Sequence, residues 1–173
     1  MKNNKTRNIA ITGMLFALAM VLSFLEGIFT PLMGLPPGVK LGLANIVVMY
    51  ALFFMGRKEA VMLIILKSLF AFLTRGAIAA VLSFCGGGLS LMALMLLMLL
   101  KKAPPMFIMS VTGAIMHNIG QLLALRFLVT TSPYTIYYLP ILLISGVVMG
   151  AITSVSLQAV LPALAKLGIE KKH

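Results

Sequence analysis

The sequence predicts an all-α polytopic membrane protein, a bundle of six transmembrane helices forming a single domain over residues 1–173. Three observations lead there. Of the 173 residues 61% are apolar, with a mean hydropathy of +1.12, against roughly 45–50% apolar in a soluble domain. The apolar text comes in long runs without the alternation of a membrane barrel, so each run must satisfy its own backbone as a helix. The third observation is the charge, which is sparse and one-sided: 10% charged residues, 14 Lys and Arg against three Glu, net +11 and no Asp.

Taken in order, a polar basic start, MKNNKTRN, precedes the first apolar run, Ile9–Leu25. Alone it would suit a signal peptide, but apolar runs continue to the end of the chain and make it a first membrane helix. Breaks follow at FTPLMGLPPG, Gly56 to Glu59, CGGG, KKAPP and TTSPY, where Pro, Gly or paired charges interrupt. They delimit five further segments: Leu41–Met55, Ala60–Leu82, Leu89–Leu100, Met106–Val129 and Leu139–Leu161. Six helices of about 20 residues use most of the chain, leaving no room for a separate ATPase or synthase domain. The Gly-rich break at Gly86 to Gly88 is expected to be a sharp turn or mobile lid; without a following Gly-Lys-Ser or Gly-Lys-Thr it is no nucleotide loop.

Basic residues near the segment ends orient the bundle. Lys2, Lys5, Arg7, Arg57, Lys58, Lys101, Lys102, Lys166, Lys171 and Lys172 fall on one side, and Lys40, Arg75 and Arg126 on the other. The positive-inside rule then makes both termini cytoplasmic; a multi-pass plasma-membrane protein with the lipid bilayer among its partners is expected. No catalytic residue, metal, cofactor or nucleic-acid partner is expected. The three acids, Glu26, Glu59 and Glu170, are scattered, and one Cys with two His cannot build a cysteine-rich zinc site.

The minority-side cations come from three different segments and can converge on an anion; the alternative for each is snorkelling to lipid phosphates. Lys40 follows a Pro-Gly turn at the start of a helix, with Asn45 just beyond it. In the fifth segment His117, Asn118, Gln121 and Arg126 form a polar stripe at helical spacing. Such a stripe lines a ligand cavity or glues helices together. Lys40, Asn45, Arg75, His117, Asn118, Gln121 and Arg126 are therefore the candidate substrate-binding residues. Lys67 is the deepest charge and has no evident role, and Glu26 is the acid placed to neutralise the cations, by salt bridge or ligand contact. In the first segment Ala10, Gly13 and Ala17 make a groove of small residues suited to another helix, whether of this chain or of a partner.

The segments PPGVKLGLANIVVMYAL, SFCGGGLSLMAL, GAIMHNIGQ and YLPILLISGVVMG resemble the Gx transporter family, which also carries the name heptaprenyl diphosphate synthase component I. That family is similar to the substrate-binding S components of energy-coupling factor (ECF) transporters. The resemblance implies capture of a small vitamin-like or cofactor-precursor molecule near the outer face, with uptake driven by a coupling protein and two ATPases. In the S-component class small residues of the first helix pack on the coupling protein, which would fall here on Ala10, Gly13 and Ala17. The older name implies instead an accessory membrane subunit of polyprenyl diphosphate or quinone synthesis, or of an electron-transfer assembly. Lacking Asp, the chain has no DDxxD motif to hold a Mg²⁺-diphosphate, so the transferase itself would be another subunit.

Overall fold

A computed structural model describes residues 2–29, 32, 43–100, 102, 104–130 and 133–166. Six long helical stretches follow one another: α1 (Lys2–Phe29), α2 (Asn45–Met55), α3 (Arg57–Arg75), α4 (Ala77–Leu97), α5 (Met106–Ala124) and α6 (Leu139–Lys166). The last turn of α2 (Ala51–Met55) and the extension of α5 (Leu125–Val129) are π-helical, and a 3₁₀ stretch, Pro133–Tyr138, leads into α6. No strand occurs among the described residues.

Four helices are long and apolar enough to cross a membrane: Ile9–Phe29, Ala77–Leu97, Met106–Leu128 and Leu139–Ala159. They make this a membrane protein. The other two segments, of the six spans expected, fall outside these four. The second has 11 described helical residues, Asn45–Met55, or about 16 Å at 1.5 Å per residue, half of a ~30 Å hydrocarbon layer. The third is long enough but carries Arg57, Lys58, Glu59, Lys67 and Arg75.

The expected break at CGGG is a correction. The chain turns instead at Gly76, whose φ of 88° only glycine adopts cheaply, and α4 runs unbroken through Gly86, Gly87 and Gly88. The third and fourth segments therefore divide at Gly76, the fourth is a full 21-residue helix, and no Gly-rich lid exists there. Of these glycines, Gly86 and Gly87 serve close packing. A Cβ on Gly86 would lie 2.8 Å from Gln121 Cγ and 2.9 Å from the His117 ring, and one on Gly120 would lie 2.7 Å from the Cys85 carbonyl oxygen. Neighbouring backbones of α4 and α5 thus touch without side chains between them.

Packing follows chain order. α5 lies between α4 and α6, α4 also packs on α3, and α1 lies against α3 and α2. The main core forms around α2, whose Val47, Val48, Met49, Ala51, Leu52, Phe53 and Phe54 are buried with Leu63 and Ile64 of α3, Leu91 and Leu94 of α4, and Met109 of α5. A helix apolar on every side must be enclosed. A second cluster, Leu82, Leu122, Ala124, Leu125 and Leu142, joins α4, α5 and α6 where α4 begins and α5 ends.

The contact makes a paired prediction. Gly120→Ala forces the α4 and α5 backbones apart and costs about 1–3 kcal/mol, lowering the thermal midpoint of the purified protein in detergent. Gly88→Ala, where an added Cβ meets nothing within 4 Å, stabilises by roughly 0.5–1 kcal/mol through helix propensity. Equal effects of the two substitutions would mean that α4 and α5 are not in backbone contact.

Candidate functional site

Polar residues gather at the end of the bundle where α1, α3 and α5 finish and α2 and α4 begin. Ser23 and Glu26 come from α1, Ala44 immediately precedes α2, Lys67 and Arg75 come from α3, Ala79 and Ser83 from α4, and His117 and Gln121 from α5; together they line one cavity. Each pair within a helix is separated by three, four or eight residues, the spacings that return a side chain to one face. The cavity measures about 10 Å³, the space of a single water.

Burial here is deep for charged groups: Glu26 is 1% exposed and Lys67 4%. A charge so placed persists only with polar partners. Lys67 Nζ donates to Asn45 Oδ1 at 2.7 Å, and the Leu43 backbone N–H donates to Glu26 Oε1 at 3.2 Å. These two bonds fix the start of α2 against α3 and α1. Arg75 Nη2 reaches Ser23 Oγ at 3.5 Å, a long contact that leaves most of the guanidinium's donors unused. On α5, Gln121 Nε2 lies 2.9 Å from His117 Nε2, a side-chain pair one turn apart on the same face.

The structure brings Arg75, His117 and Gln121 to the cavity, and holds Asn45 behind it on Lys67. It does not bring in the whole fifth-segment stripe. Asn118, one residue and about 100° round the helix from His117, donates to Leu142 O at 2.7 Å and Ser145 Oγ at 3.1 Å, and so joins α5 to α6. Arg126 lies in the π-helical turn with its guanidinium 6.0 Å from the centre of the Phe127 ring, and it does not line the cavity. Lys40 is outside the described residues. Glu26 and Lys67, whose roles the sequence left open, are both in the lining, with Ser23 and Ser83 beside them. The available signal was an acid and an amine inside apolar helices, which need each other's neighbourhood or a ligand.

Ala10, Gly13 and Ala17 are exposed on α1, and a Cβ at Gly13 would meet nothing within 4 Å. Among the described residues, no other helix of this chain occupies that groove.

Removing the amide that holds Lys67 tests the site's electrostatics. Asn45→Ala strands a buried ammonium and destabilises by about 1.5–3 kcal/mol, read as a lower unfolding midpoint in detergent. Adding Lys67→Met removes the charge that needed the partner and recovers at least half of the loss. An unchanged midpoint in Asn45→Ala would show that Lys67 does not depend on that bond.

A search of curated proteins found no match to the chain, and a search of solved structures found none either. A family model described as heptaprenyl diphosphate synthase component I matches residues 15–160, a stretch that contains every described residue of the cavity. With the match running from within α1 almost to the end of the described part of α6, the chain belongs to the heptaprenyl diphosphate synthase component I family.

Proposed function

We propose that this protein is the substrate-binding S component of an ECF-type importer, capturing a small vitamin-like or cofactor-precursor molecule of anionic character at the outer face of the plasma membrane. The observation that carries the reading is the cavity itself. Three helices place Glu26, Lys67, Arg75, His117 and Gln121 around one point near one end of an apolar bundle, and a membrane protein that buries such groups usually does so for a ligand or ion. By the positive-inside rule the cavity end faces outward and the Lys- and Arg-rich end the cytoplasm. Lys40, Asn118 and Arg126 remain in the proposal as groups that an arriving ligand meets when the cavity opens. The exposed Ala10, Gly13 and Ala17 face supports docking of a coupling protein, which would bring two ATPases with it.

The family description favours a second reading, a non-catalytic membrane subunit that assists polyprenyl diphosphate or quinone synthesis or an electron-transfer assembly. On this reading the partner does the chemistry, since Glu26 and Glu59 lie towards opposite ends of the bundle and cannot share a Mg²⁺.

Purification from native membranes in mild detergent, followed by mass spectrometry of the co-purifying proteins, separates the two. Two related ATPases and a coupling protein are the expected result; a soluble prenyl synthase or redox subunit without ATPases would replace the first reading with the second. Gly13→Leu fills the α1 groove and lowers recovery of the ATPases at least ten-fold while the protein itself still accumulates in the membrane. Full recovery with Gly13→Leu would take the docking face away from α1.

A further inference from the structure

We propose that the tyrosine-rich connection between α5 and α6 is a lipid-binding surface, seated in the phospholipid headgroup layer at the cavity end of the bundle. Three of the chain's four tyrosines, Tyr134, Tyr137 and Tyr138, fall within five residues, in the 3₁₀ stretch Pro133–Tyr138. That stretch joins two helices long and apolar enough to cross a membrane: Met106–Leu128 ends shortly before it and Leu139–Ala159 begins directly after it. It packs against both, on the π-helical end of α5 and on the start of α6. The tyrosines therefore stand where the apolar text of two neighbouring spans stops.

Their side chains face outward. Tyr134 is 69% exposed and Tyr137 75%, and the two rings stack with centroids 6.1 Å apart and planes 28° apart, since residues three apart eclipse one another in a 3₁₀ helix. Phe127 and Leu128, at the end of the α5 span, are exposed beside them in the sequence. A phenol has an apolar body and a polar tip: water leaves the ring bare, and hydrocarbon leaves the hydroxyl without a partner. The headgroup layer satisfies both, which is why tyrosine collects at that depth. From Leu128 back to Gln121 is seven residues of helix, which at 1.5 Å each put the cavity about 10 Å deeper than this layer. The surface thus fixes the depth of the cavity through α5, whatever the cavity binds.

The chain contains no Trp, so a single introduced one reports depth by its fluorescence. The full chain carrying Tyr137→Trp is reconstituted in phosphatidylcholine vesicles with bromine on the acyl chain, either near the headgroup or near the methyl end. Val148→Trp, at an exposed position near the middle of the α6 span, is the comparison. The Tyr137→Trp emission is expected to be quenched roughly two-fold more strongly by the shallow bromine than by the deep one, and the Val148→Trp emission in the reverse order. All these side chains are exposed, so the replacements leave the core alone, and Tyr134→Trp repeats the reading on the other stacked ring. Quenching of the two tyrosine-site variants by aqueous acrylamide alone would put the connection in water, and equal or stronger quenching by the deep bromine would put it in hydrocarbon. Resistance to every quencher would mean that protein, such as a second copy of the chain, covers it. Each of these results would overturn the lipid surface, as would the same order of quenching at Val148→Trp and Tyr137→Trp.

Discussion

An ammonium group buried among apolar helices must be held, and the bond from Lys67 to Asn45 is the constraint on which the rest of this structure depends. It ties the start of α2 to the middle of α3, while the Leu43 N–H to Glu26 bond ties the same point to α1. α2 is too short to set its own depth by matching the bilayer. Its position is set by these two polar contacts at one end and by the apolar core around Val47 to Phe54 below them. The polar and apolar parts of the interior are thus ordered along the bundle axis, with charge at one end and hydrocarbon towards the other.

The glycine contact between α4 and α5 serves the same site from the opposite side. His117 and Gln121 fit against α4 because Gly86 offers no side chain there, and Gly120 lets the Cys85 carbonyl approach the α5 backbone. Any larger residue would rotate or push α5 and carry His117 with it. Family membership and cavity geometry therefore meet in one place: the CGGG and HNIGQ motifs are adjacent in space, and each is explained by the other.

Much of this was legible in the sequence, and the misses have physical causes. Composition and hydropathy determine an all-helical membrane protein, and Gly56 and the Pro-rich breaks lie where helices end. CGGG read as a turn because glycine serves both turns and close approach, and a sequence does not reveal which neighbour is near. The true turn, Gly76, is a lone glycine beside Arg75, a weaker punctuation than a triplet. The stripe of His117, Asn118, Gln121 and Arg126 was visible as helical spacing, but a difference of one residue sends Asn118 to α6 instead of the cavity. Lys67 had no evident role because its partner lies 22 residues away on another helix.

The half-length of α2 has a consequence for how a membrane protein makes room inside itself. A bundle of full-length helices fills every column through the bilayer, so an interior polar chamber would need bulky residues removed from several helices at once. Among the described residues this helix covers about half of the layer, while α4, α5 and α6 are long enough to cross it. Glu26, Lys67 and Arg75 bring their polar ends together at the start of that short helix. Lengthening or shortening that one helix by a turn would change the volume available there by far more than any single side-chain replacement, which makes helix length itself the coarse adjustment of chamber size in this fold.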